Sequence, residues 1–179
     1  MKKIENIIIY IINYFQTNYA PADLGKVKLN KILWFADRAF MYKNYASLTQ
    51  TSYIKNPQGP VVKKLENILT SLEKNEFIKS IKVNKGEYQQ QSFLCLKEPN
   101  LDDFTAKEIS ILDETINKFA LKTAKELSEM SHDECWEKTK NGDTMPIESV
   151  FLQDIIPATK EDINGLALKM LMIYVSILI

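Results

Sequence analysis

The one histidine in the chain, His132, stands three residues before Cys135, one of only two cysteines. On a helix, positions i and i+3 share a face, so this pair has the spacing of a nucleophile–base dyad or of half a metal site. The other half is missing. There is no CxxC or HxxxH pattern, and a structural zinc takes four ligands. Cys135 beside Trp136 reads as a small packing side chain, and His132 as a locally bonded residue after Ser131. Other reactive patterns fail too. Gly25 and Lys26 lack the upstream glycine of a phosphate loop, and neither GxGxxG nor GxSxG occurs. Asp102 with Asp103, and Asp133 with Glu134, are neighbours at predicted helix starts, where acids favour the positive end of the helix dipole. The expectation is a protein that is not an enzyme, with no catalytic, cofactor-binding or metal-binding residue.

Charge is the next chemical signal. The net charge is zero, with 23 basic and 23 acidic residues. Residues 1–98 carry 15 Lys and Arg against 8 Asp and Glu, and residues 99–179 carry 8 against 15. Such asymmetry speaks about partners rather than fold. Lys28, Lys31 and Arg38 lie on one predicted helix, and Lys26 comes just before it. Lys63 and Lys64 open another, and Lys79, Lys82 and Lys85 stud a hairpin. Together they offer a surface for phosphates. Arg38 is the only arginine, however, and arginine is the usual reader of guanine edges. DNA binding is therefore weaker than protein binding as an expectation.

The elements that would carry these residues are mostly helical. Ile4, Ile7, Ile8, Ile11, Ile12 and Phe15 follow helical spacing from Lys3 to Asn18. A second helix, from about Lys28 to Lys43, is apolar on most sides and so reads as central. Ser52–Lys55 reads as a short strand. Gly59 and Pro60 set a turn, with Pro60 at the first position of a third helix. Two strands around Gly86 form a hairpin. Thr105 with Glu108 and Thr123 with Glu126 are capping boxes, and Ser131 with Glu134 reads as a third. Thr159 with Asp162 opens a last helix, about 160–179. The predicted fold class is mainly α (α+β): a compact helical domain with a small β-hairpin, winged-helix-like in its helix–hairpin element, as one domain over 1–179.

The ends of the chain argue against a membrane. Glu5, Asn6 and Asn13 interrupt the apolar run of a would-be signal. The final apolar stretch has 15 residues and contains Lys169, short of the roughly 20 that a span needs. A cytoplasmic protein is expected. On the last helix Leu168, Met172, Ile173 and Ile177 form a second apolar surface beside the inner stripe. It is a candidate interface for a partner or for self-association, with the first helix as the alternative cover.

Three segments carry a resemblance: KLNKILWFADRAFMYKNYASLTQTSY from Lys28, NPQGPVVKKLENIL from Asn56 and ELSEMSHDECWEKTKNGDTMPI from Glu126. In order and spacing they resemble the Panacea domain, the SocA-like, phage-associated antitoxin family, over roughly 4–150. Trp34 stands where tyrosine is usual, and a glycine common near Tyr45 is absent. The family's recurrent positions fall on Leu29, Lys31, Phe35, Asp37, Gly59, Pro60, Val61, His132 and Trp136, as structural or partner-binding residues. The reading from residue types puts Leu29 and Phe35 in the core and pairs Asp37 with His132 or a lysine. Trp136 anchors either the core or an interface. The resemblance implies an antitoxin of a bacterial or prophage toxin–antitoxin system, acting by direct binding of a cognate protein toxin. Its alternatives are a DNA-binding autoregulator and an adaptor that delivers a partner to a protease.

Overall fold

A computed structural model describes residues 1–86 and 88–154. Its helices are α1 (Lys3–Asn18), α2 (Lys26–Asn44), α3 (Leu65–Lys74), α4 (Ala106–Phe119), α5 (Ala124–Met130) and α6 (Glu134–Lys138). Its strands are β1 (Tyr53–Ile54), β2 (Val61–Val62), β3 (Ile78–Lys85), β4 (Tyr88–Cys95) and β5 (Thr144–Met145), and a 3-10 segment runs over Ile147–Asp154. The fold is mainly helical with two small antiparallel sheets. The last predicted helix, its Thr159 and Asp162, and the candidate interface residues Leu168, Met172, Ile173 and Ile177 lie outside the described residues. Among the described residues no helix is long and apolar enough to cross a membrane.

The isoleucine spacing of α1 buries Ile4, Ile7, Ile8, Ile9, Ile11 and Ile12 with Phe15. Each fully buried side chain of this size contributes about 1.5–3 kcal/mol relative to exposure. Asn6, which interrupts the apolar run in sequence, is itself buried. Its amide donates to Asn100 O at 2.8 Å and its Oδ1 accepts from Asn100 N at 3.0 Å, so it ties the 100–103 turn to α1. One turn further along α1, Tyr10 donates to Asp113 of α4 at 2.6 Å, and burial with that carboxylate raises its phenol pKa.

The hairpin forms as the sequence predicts, in full register from Ile78↔Cys95 to Lys85↔Tyr88, with Gly86 at φ +69° in the turn. Ile78 and Phe93 are buried, and Ser92 bridges to Gly25. The short strand also forms, but in the other sheet, whose order is β2-β1-β5 with Tyr53 opposite Val62 and Met145.

Two local expectations need correction. Pro60 does not open α3. The chain continues through β2, because Val61 and Val62 find partners on β1 and β-branched side chains fit a strand. The helix opens only at Leu65, after Lys64 in the left-handed region at φ +63°. Nor is Ser131 the cap of α6. It closes α5, its hydroxyl donating to Ser128 O at 2.7 Å. The cap is Asp133, whose Oδ1 accepts from Trp136 N at 2.9 Å. The capping boxes at Thr105/Glu108 and Thr123/Glu126 are both formed.

Candidate functional site

Helix α2 is apolar enough to sit in the core, yet it carries five buried polar residues: Lys28, Asn30, Lys31, Asp37 and Arg38. Buried charge is costly unless it is hydrogen-bonded. Each of these side chains bonds to a different piece of the chain packed around α2. Lys28 donates to Ala120 O at 2.8 Å, at the end of α4. Asn30 Oδ1 accepts from Val62 N at 3.0 Å. Lys31, wholly buried, donates to Pro60 O at 3.0 Å. Arg38 Nη1 reaches Asp133 at 3.0 Å and Ser149 Oγ at 2.7 Å.

Asp37 organises residues 47–53. It accepts from Leu48 N at 2.6 Å, from Ser47 Oγ at 3.1 Å, from Thr49 Oγ1, and from Tyr53 Oη at 3.2 Å. Burial pushes its carboxyl pKa up, while hydrogen bonds from Ser47, Leu48 and Thr49 pull it down. The expected pairing with His132 or a lysine is not what forms. The backbone turn just after α2 supplies donors closer in sequence and leaves no need for a cation.

Spacing explains the division of labour. Asn30 and Asp37 are seven residues apart, as are Lys31 and Arg38. Seven residues is nearly two turns, about 10.5 Å of axis, so each pair forms a column. Trp34 lies between the columns. Its ring meets Tyr53 edge-on at 5.0 Å, and the Arg38 guanidinium lies 4.9 Å from it.

The Lys31 column converges with the two other recurrent segments. Gly59 adopts φ +93°, and a β-carbon there would lie 2.2 Å from Ser131 Oγ and 2.5 Å from Lys31 Nζ. Only glycine satisfies both the backbone angle and the space. Next to Ser131, the His132 ring stacks on Trp136 at 3.7 Å and 11°. Trp136 Nε1 donates to Asn56 O at 3.1 Å, and Lys55 Nζ sits 4.0 Å from the indole centroid. Lys31, Gly59, Pro60, His132 and Trp136 thus form one node, which locks the 56–60 turn against the α5–α6 junction. Trp136 takes part in this packing and remains half-buried. Of the remaining expected residues, Leu29 is in the core. Phe35 is half-buried and its ring packs, tilted by 36°, against Phe119 at 4.7 Å. Val61 pairs with Ile54.

Electrostatics at the node follow from burial. Desolvation lowers the Lys31 pKa to about 7. Desolvation, then Lys31 and Lys55, lowers that of His132, whose Nε2 is buried without a hydrogen-bond partner. Among the described residues no group of three or more His, Cys, Asp or Glu is placed to hold a metal ion.

The basic surface expected for phosphates assembles only in part: Lys63 and Lys64 are exposed, and Lys26 is ion-paired with Glu66. Lys28, Lys31 and Arg38 are buried. Lys82 pairs across from Gln91, whereas Lys79 and Lys85 pair with Leu94 and Tyr88. A strand alternates its faces with period two, so the three-residue spacing puts Lys82 on the opposite face from the other two. Lys85 is in addition ion-paired with Asp23 at 3.3 Å.

Sequence reasoning missed Asn6, Ser131, Lys55 and the Arg38–Asp133 pair. A usable signal existed for one of them: two polar pairs at i, i+7 on an otherwise apolar helix. A family model described as antitoxin SocA-like, Panacea domain matches residues 29–137. No curated protein and no solved structure matches.

Proposed function

The chain belongs to the SocA-like antitoxin, Panacea domain family, and from that premise we propose that it is the antitoxin of a toxin–antitoxin pair, neutralising a cognate protein toxin in the cytoplasm by direct contact. One observation supports the reading beyond membership. The recurrent polar residues are engaged inside the molecule, where they fix surface turns against α2. An arrangement of that kind suits a preorganised recognition surface, because ordering costs are met before the partner arrives. The α6 segment held by the node presents Glu134 and Glu137 to solvent and is the face offered to a basic partner surface.

The test is co-expression with the product of the adjacent reading frame. Relief of growth arrest together with a stable complex on co-purification is the expected result. Persistent toxicity with no complex overturns it. A gel shift with the upstream DNA forms the second arm. Submicromolar, salt-sensitive binding there would favour the autoregulator instead. Burial of three of the basic residues, and the split of the hairpin lysines, speak against that outcome.

A further inference from the structure

The Arg38 guanidinium is only partly matched. The residue is 5% exposed, its Nη1 serves Asp133 and Ser149, and its Nη2 is buried with no hydrogen-bond partner. A buried charged donor without an acceptor is an unfavourable arrangement in a finished core. Arg38 also lines a cavity of about 360 Å³ between α2, α4 and the 147–154 segment. Trp34, Phe35, Phe119, Met130 and Val150 supply apolar wall. Apolar wall beside a few charged groups is the make-up of a small ligand site.

The charges around it set the ligand's sign. Lys43 and Lys118 line the cavity together with Arg38, against Glu114 and Asp133. Glu114 is ion-paired with Lys43 at 2.9 Å and Asp133 with Arg38 at 3.0 Å. Among the described residues that leaves Lys118, which lies over the Phe119 ring at 5.3 Å, and the buried second Arg38 nitrogen without a carboxylate partner. A guanidinium presents a planar fork that matches a carboxylate.

We propose that this cavity binds a carboxylate carried on an apolar stem, with the carboxylate at Arg38 and the stem against Phe35 and Phe119. Two sources share that chemistry: a free small carboxylic acid, and an acidic side chain flanked by apolar residues on a protein partner.

Calorimetric titration of the full chain tests this with three probes: 3-phenylpropionate, its uncharged amide, and the blocked tripeptide acetyl-Leu-Glu-Leu-amide. The charged stem should bind at least about tenfold more tightly than the amide, the factor expected when a charge-assisted hydrogen bond is lost. Tighter binding of the free acid assigns a small-molecule ligand, and tighter binding of the tripeptide assigns a partner side chain. Ala39→Leu narrows the cavity without touching the Asp133 and Ser149 bonds, and should weaken the acid by about tenfold or more while the chain stays folded. Equal affinity for acid and amide, or no binding of either charged probe below about 10 mM, overturns the proposal. That comparison is made on the unmodified chain, so it stands even if a variant fails to fold. A folded Ala39→Leu chain with undiminished affinity overturns it as well.

Discussion

Lys31 and Gly59 meet so closely that the ammonium nitrogen occupies the space where a glycine β-carbon would need to be, 2.5 Å away. A helix residue and a turn residue 28 positions apart therefore constrain each other's type. Lysine needs the Pro60 carbonyl, and that approach requires the absence of a side chain at Gly59.

Gly59→Ala should be among the most destabilising single-methyl changes in the chain. The positive φ and the contacts with Ser131 Oγ and Lys31 Nζ add, for an expected loss of about 2–4 kcal/mol. Urea denaturation measures it. Adding Ser131→Ala should restore part of the loss, because the closest contact is with that hydroxyl. Independent, additive effects of the two substitutions would refute the packing account.

Lys31 gives stability a pH dependence of known sign. Its folded pKa, about 7, lies below the ordinary value of 10.5. Between these values the unfolded chain binds the extra proton, so stability rises with pH through that window. The limiting slope is about 1.4 kcal/mol per pH unit. In Lys31→Met this contribution should vanish, and the difference between the two proteins' unfolding free energies should change steadily from pH 7 to 10. A difference that is flat over that range would mean that Lys31 is not desolvated in solution.

Asp37→Asn keeps size and shape but turns one acceptor into a donor. Five donors of the 47–53 segment face that carboxylate, so at least one of them must lose its acceptor. A loss of about 2–3 kcal/mol is expected. Hydrogen exchange at Leu48 and Thr49 should accelerate more than exchange within α1. Uniform acceleration across the chain would instead indicate global destabilisation without a local role for Asp37.

His132 should weaken the fold in acid. Its folded pKa lies below the ordinary 6.5, so the unfolded state takes up the proton first and stability falls as pH drops below about 6.5. His132→Phe retains a ring to stack on Trp136 and removes the titration. The variant's midpoint of denaturation should then fall less than the parent's between pH 7 and pH 5. An identical fall in both would place the acid sensitivity elsewhere.

Local physics, readable in one dimension, fixed much of this molecule. The isoleucine spacing of α1, the glycine turn of the hairpin and the capping boxes at Thr105 and Thr123 each depend on residues within a turn or two of one another. The three recurrent segments pointed to the family. Contacts between distant segments were decided only by tertiary structure. Asn6 looked like a break in an apolar run until Asn100 was placed opposite it. The lysines of α2 looked like a basic face until Ala120 and Pro60 presented carbonyls that made burial tolerable. Asp37 found its donors in the turn that follows its own helix, and Arg38 found Asp133 at a separation of 95 residues. A charged side chain in sequence carries no mark of burial. Whether it faces water or core depends on whether the folded chain brings an acceptor or donor to meet it, and that is a property of the assembled fold.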